Sequence, residues 1–203
     1  MKYDEDYFER GIELGISGYS NYRWIPELTI PLCARIIEDL RISDTDRILD
    51  YDCAKGFYVK AFRLLHKQCW GYDISEYALS QADDSIKQFV SGDLDLLGDF
   101  DLVIAKDVLE HIDYANIESI LKRIYTITED LFCIVPIGRD GKYIVPIYEL
   151  DKTYIIREDL NWWGNMFQDC GFYVEIAKYN MKHMKQNYEK WEEGNGFFLL
   201  RKL

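Results

Sequence analysis

No stretch of the chain approaches the roughly 18–20 apolar residues that a bilayer-spanning helix needs, and the opening MKYDEDYFERG is too polar for a secretory signal. Both features point to a cytoplasmic protein with no membrane partner. Positive charge is also scarce: 24 Lys and Arg stand against 36 Asp and Glu, a formal net charge of −12. Nucleic-acid affinity comes largely from cations that release counterions from phosphates, so a DNA or RNA partner is disfavoured. The segments LLHKQ and IIRED carry only ordinary solvated charge. The five cysteines, Cys33, Cys53, Cys69, Cys133 and Cys170, form neither a CxxC pair nor a His-rich cluster. They read as reduced, mostly buried thiols, and no metal site is expected. Internal repeats and low-complexity tracts are absent as well.

What the chain does contain is a globular composition, 48% hydrophobic and 15% aromatic over 203 residues, enough for one domain with one core. Short apolar runs rich in β-branched and aromatic residues alternate with longer amphipathic stretches, the pattern of βα units around a parallel sheet. Strands are expected near Arg47–Tyr51, Gln68–Tyr72, Ile86–Val90, Phe100–Ala105, Leu131–Ile137, Tyr173–Lys178 and Phe197–Arg201. Helices are expected at about Pro26–Leu40, Phe57–Leu65, Glu76–Gln81, Ile117–Ile127 and Glu158–Cys170, with Gly171 as a stop. Between the last two strands, Met181, Met184, Tyr188 and Trp191 fall at roughly helical spacing, a packing stripe on a short helix.

The first strand opens into Tyr51-Asp52-Cys53-Ala54-Lys55-Gly56, where backbone N–H groups and a helix N-terminus meet whatever lies above the sheet. A dinucleotide suits this loop badly. The pattern G-x-G-x-x-G is missing, and Asp52 sets an anion where a pyrophosphate would sit. A zwitterionic ligand with a cationic centre tolerates that carboxylate. Asp73, 23 residues after Asp50 and ending the second strand in GYDIS, can accept two hydrogen bonds from vicinal ribose hydroxyls.

The ordered segments ILDYDCAKGF, GYDIS, SGDLDL, FDLVIAKDVLEHI and LFCIVPI, over about residues 47–137, resemble the motifs of class I S-adenosylmethionine-dependent methyltransferases that act on small molecules. The resemblance implies an α/β fold: one Rossmann-like domain with a seven-stranded sheet, mostly parallel with an antiparallel last strand, and helices on both faces. It divides the chain into an N-terminal helical cap (1–46), a cofactor-binding half (47–137) and an acceptor-site half (138–203). It implies S-adenosyl-L-methionine as cofactor and S-adenosyl-L-homocysteine as product. By the same resemblance Asp50, Asp52, Cys53, Ala54 and Gly56 lie against the methionine part, Asp73 holds the ribose, Ile74 is a further cofactor contact, and Asp93 and Leu94 lie at the adenine edge. Lys106, with Asp107, faces the sulfonium end. The segment GYSNYRW resembles a flap over the cofactor, with Tyr19, Tyr22 and Arg23 as contacts and Arg23 paired with the methionine carboxylate.

Two residues are candidates for acceptor chemistry. His111, in VLEHI, has a side chain whose ordinary pKa near 6.5 suits a base at neutral pH. Tyr154 stands where several similar methyltransferases carry His in a D-x-T-H pattern; here the run is Asp151, Thr153, Tyr154. A tyrosine packing on Trp162 or Trp163 is the other reading of that position. The run IAKDVLEH lacks the N/D-P-P-Y motif of amino-methyltransferases, which with the charge favours a small-molecule acceptor, oxygen over nitrogen. A sugar or phosphorylated glycan intermediate fits this class, and a homodimer is compatible with it. Asp52 and Ala54 occupy positions where the family has glycines, so a methyltransferase-like binding or scaffold protein stands as the second reading.

Overall fold

A computed structural model describes residues 3–182, 184–185 and 190–202 of the chain. The residues gather into two compact units, Met1–Asp101 and Leu102–Leu203. The first carries helices α1 (Glu5–Glu9), α2 (Gly11–Leu14) and α3 (Pro26–Leu40), then strand β1 (Arg47–Tyr51), α4 (Phe57–Leu64), β2 (Gln68–Tyr72), α5 (Glu76–Ser80) and β3 (Val90–Ser91). Strand β4 (Phe100–Lys106) runs from one unit into the other. The second continues with α6 (Ile117–Ile127), β5 (Thr128–Pro136), β6 (Gly138–Arg139), β7 (Lys142–Tyr143), α7 (Leu160–Asp169), β8 (Phe172–Lys178) and β9 (Asn195–Lys202).

Seven strands form one sheet in the order β3-β2-β1-β4-β5-β9-β8, with β6 and β7 making a separate hairpin. Strand β1 pairs parallel with β2, and β2 with β3. Strand β9 runs antiparallel to both β5 and β8. The sheet is therefore the mostly parallel one with an antiparallel last strand that the sequence predicts.

Local chemistry explains where the elements start and stop. Pro26 begins α3, where a missing N–H costs nothing. Ser75 caps α5 by accepting from the Ala78 amide at 3.0 Å, and Asp159 caps α7 by accepting from Trp162 at 2.8 Å. Helix α7 thus starts at Leu160, after the expected Glu158. At its far end Gly171 takes φ +100 and donates to the Gln168 carbonyl.

In the first unit Ile48, Leu49, Val59, Phe62 and Cys69 are fully buried, and in the second Phe132, Ile134, Trp163, Phe167, Phe197 and Phe198 are. Each such large apolar side chain stabilises its unit by about 1.5–3 kcal/mol. All five cysteines are buried, and none of them forms a disulfide. Among the described residues no helix is long and apolar enough to cross a membrane.

Two expectations need correction. The run Ile86–Val90 is not a strand: Lys87–Phe89 form a 3-10 turn and only Val90–Ser91 join the sheet. The Ile86 amide donates to the Asp83 carbonyl at 2.9 Å and the Phe89 amide to Ile86 at 2.8 Å, so local bonds take the amides a strand would use. The stripe expected between β8 and β9 falls partly outside the described residues, Tyr188 included. The described residues Lys182, Met184 and Lys190 there lie in turns, and Met184 is buried.

Gly56, just before α4, has φ +74, and a Cβ on it would stand 2.6 Å from Ile86 Cδ1. Gly141 has the same φ but open space around it. Gly56→Ala is expected to cost about 2–4 kcal/mol in urea unfolding, combining left-handed strain with overpacking, and Gly141→Ala only about 1–2 kcal/mol. Equal losses at the two positions would contradict this packing.

Candidate functional site

The first unit concentrates its chemistry at the carboxyl ends of β1 and β2. The loop leaving β1 turns sharply because Asp52 (φ +67) and Ala54 (φ +50) both adopt the left-handed conformation. The Cys53 amide donates to the Tyr72 carbonyl at 2.9 Å, fastening the loop to the end of β2. Gly71 makes that approach possible, since a Cβ there would lie 2.6 Å from Cys53 Sγ. Asp73 then holds the loop from the other side. Its Oδ2 accepts from the Ala54 amide and its Oδ1 from the Ser75 amide, both at 2.6 Å.

Three carboxyls meet here. Burial raises the pKa of Asp52 well above the ordinary value, with the charges of Asp73 and Asp50 adding to it. Asp73 is also raised by burial, while its bonds from Ser75 and Ala54 pull the other way. Asp52 and Asp73 are hydrogen-bonded, and the stronger upward shift belongs to Asp52, so its carboxyl keeps the proton and donates to Asp73. Burial likewise raises the Cys53 thiol. Next to Asp73 in the chain, Ile74 leaves 61% of its surface exposed. Asp93 is exposed and accepts from the Asp95 amide at 3.0 Å, whereas the Leu94 side chain is buried.

The N-terminal segment is tied to the same loop by a lysine that sequence reasoning did not single out. Lys55, almost buried, donates to Glu9 Oε1 at 2.5 Å and to the Tyr22 carbonyl at 2.7 Å. Tyr77 donates to the same Glu9 oxygen at 3.1 Å; burial, then Glu9, push its pKa up to about 12. The Tyr22 ring packs on Phe8, Tyr19 and Phe57. Arg23 is exposed.

The second unit holds the acceptor candidates. Asp107 follows β4 in a left-handed conformation (φ +57) and is ion-paired to both Lys106 and Lys185. Burial alone would raise its pKa, but the two ammonium groups hold it below the usual carboxylate range. Glu110 is fully buried, and neither of its carboxyl oxygens has a hydrogen-bond partner among the described residues. Burial, reinforced by the Asp107 charge, drives its pKa well up. His111 Nδ1 lies 2.6 Å from Thr153 Oγ1, which donates to Asp151 Oδ1 at 2.5 Å. Burial lowers the His111 pKa against the opposing charge of Asp151. Tyr154 meets the His111 ring edge-on at 4.6 Å and contacts Tyr143 and Tyr148. Trp162 packs on Tyr114 and Trp163.

Asp50, Asp52, Cys53, Ala54, Gly56, Asp73 and Ile74 are therefore neighbours along one loop and strand end. His111 and Tyr154 are brought together in the second unit, with Thr153 and Asp151 behind the imidazole. Lys106 is engaged by Asp107.

A family model described as a methyltransferase domain matches residues 26–186. The chain belongs to that methyltransferase-domain family. A search of curated proteins finds no match. Among solved structures it resembles magnesium protoporphyrin IX methyltransferase from Synechocystis PCC 6803 with bound S-adenosylhomocysteine, at 15% identity and TM-score 0.63, covering 96% of this chain and 86% of that one. An S-adenosylmethionine-dependent methyltransferase from Clostridium acetobutylicum ATCC 824 aligns at 12% identity and TM-score 0.62, over 88% and 92% of the two chains. The [4+2]-cyclase SpnF aligns at 15% identity and TM-score 0.61, over 85% and 81%. At these identities the likeness is one of fold.

The raised pKa of Asp52 carries a sign. A carboxyl whose folded pKa exceeds its unfolded one adds stability below the unfolded pKa, and that contribution is lost as pH rises through the folded pKa. Asp52→Asn, which keeps a residue tolerant of positive φ, is expected to be more stable than the parent at pH 8 by on the order of 1 kcal/mol. The gap should close toward pH 4 in thermal unfolding. A gap independent of pH would contradict the assignment.

Proposed function

We propose that the chain is an S-adenosyl-L-methionine-dependent methyltransferase acting on a small-molecule acceptor, with oxygen favoured over nitrogen as the accepting atom. The observation that carries this reading is Asp73, a buried carboxylate at the end of β2 that two backbone amides hold in place. A carboxylate offers about four acceptor sites, so two amides and the Asp52 proton still leave capacity for a ribose hydroxyl.

The surrounding residues fit the rest of the cofactor. An acidic cluster of Asp50, Asp52 and Asp73 suits a molecule with a sulfonium and an ammonium group and repels a pyrophosphate. Exposed Ile74 offers an apolar surface to adenine, and Asp93 and the Leu94 backbone meet its edge. Tyr22, Cys53, Ala54 and Gly56 line the methionine end. When bound, the cofactor supplies an electrophilic methyl group. The chain then has to orient the acceptor and, where the accepting atom carries a proton that blocks attack, remove it. His111 takes that proton, and the Tyr154 hydroxyl donates a hydrogen bond to the acceptor. The product left on the enzyme is S-adenosyl-L-homocysteine.

The second reading is a binding or scaffold protein on a methyltransferase fold. It draws on the Asp52 carboxyl, which is hydrogen-bonded to the Asp73 group that a ribose would use. Calorimetry with S-adenosylhomocysteine separates the two. Binding in the low micromolar range is expected, with Asp73→Ala weakening it by ~1–3 kcal/mol, roughly 10- to 100-fold. No heat with protein near a millimolar would favour the scaffold, and an unchanged affinity in Asp73→Ala would mean that the ribose site lies elsewhere.

A further inference from the structure

The first unit also holds a groove that neither the cofactor nor the acceptor chemistry uses. It runs along α4 to the start of β2 with a volume of about 480 Å³, within the range of roughly 300–1,000 Å³ typical of small-molecule sites. Four basic side chains line it, Lys60, Arg63, His66 and Lys67, and among the described residues no Asp or Glu does. In a chain of net charge −12 this is a local reversal of sign. Leu64, 55% exposed, and Phe89, from the turn before β3, add apolar lining. Gln68 at the start of β2 closes the groove, whereas Asp73 lies beyond the other end of that strand, so the two sites sit at opposite ends of β2.

The cations differ in how they are engaged. Lys60 Nζ lies 2.5 Å from Asp83 and Lys67 Nζ 2.6 Å from Asp44, acids whose side chains are 44% and 85% exposed. Exposed pairs of this kind contribute little, so an anion entering the groove can take over either ammonium group. Arg63 makes no hydrogen bond or ion pair among the described residues, and its Nε is sealed from solvent without an acceptor. Aromatic rings hold the guanidinium instead: its central carbon lies 3.0 Å from the Phe89 ring centroid and 5.5 Å from that of Trp70. A planar fork fixed in this way, with no carboxylate of its own, matches two oxygens of an oxyanion. Three permanent cations suit a dianion better than a single carboxylate. We infer that the groove is a second binding site, for a phosphate monoester carried on an apolar body: Arg63 grips the phosphate, Lys60 and Lys67 flank it, and Leu64 and Phe89 cover the apolar part. A nucleic acid needs basic groups well beyond one groove, and the exposed Asp44, Asp83 and Asp84 around it oppose a longer polyanion. The site does not depend on the methyltransferase reading.

Phenyl phosphate titrated into the full chain at about pH 8, where a phosphate monoester is a dianion, tests the site by proton–nitrogen NMR. The expected result is saturable shifts of amides in residues 60–68 and 85–90, with a dissociation constant of about 1 mM or tighter. Benzyl alcohol, which lacks the anion, and inorganic phosphate, which lacks the apolar body, should each bind at least about tenfold more weakly. Arg63→Gln should weaken phenyl phosphate about tenfold or more, and Arg63→Lys, which keeps the charge and loses the fork, about threefold or more. Thermal unfolding checks that these variants are folded. The double variant Lys60→Gln, Lys67→Gln leaves the Arg63 stack intact and should weaken binding about threefold or more. Absence of saturation, unchanged affinity in folded Arg63→Gln or in the double variant, or shifts confined to residues 50–57 and 71–76 would overturn the inference. So would benzyl alcohol or inorganic phosphate binding as tightly as phenyl phosphate, or a short oligonucleotide binding more tightly.

Discussion

The first unit's candidate site depends on one carboxylate. Asp73 ends β2 and accepts hydrogen bonds from the Ala54 amide, in the loop after β1, and from Ser75, in its own turn. The loop it grips contains two non-glycine residues at positive φ, Asp52 and Ala54, each costing about 1–2 kcal/mol relative to ordinary backbone. Charge-assisted bonds to a buried carboxylate contribute enough to offset much of that strain. A loop with a single glycine, Gly56, thereby reaches a tight strand-to-helix turn.

The two units solve their electrostatics differently. In the first, carboxyls crowd together, and the pressure is relieved by a proton that Asp52 retains and by amide donors on Asp73. Such a cluster favours positive over negative charge in a ligand beside it. In the second, Asp107 is neutralised from within the protein by Lys106 and Lys185. There His111 lies against Thr153, which is hydrogen-bonded to the buried Asp151. Lys55 plays a mechanical part: nearly buried, it joins Glu9 and the Tyr22 carbonyl to the loop after β1.

Much of the architecture could be read from the sequence because buried strands are continuous apolar runs and the helices keep their 3.6-residue period. Strand β1 and helices α3 and α6 fall where their patterns place them. The run around Ile86 misled because Ile, Phe and Val suggest a strand, while the turn that displaces it is made by backbone bonds that no side-chain pattern announces. At the site, Asp73 was legible as an acid closing a strand. Lys55 was not, since its partner Glu9 lies 46 residues upstream. The Asp-x-Thr run was visible and its internal bonds are local, but only the fold shows that Thr153 meets His111, 42 residues away.

Hydrogen exchange with and without S-adenosylhomocysteine tests most directly whether the loop held by Asp73 is where the cofactor binds. Slowed exchange is expected in peptides spanning residues 50–57 and 71–76, where the Ala54 and Ser75 amides lie. Binding accompanied by protection only outside those two segments would contradict the placement of the site.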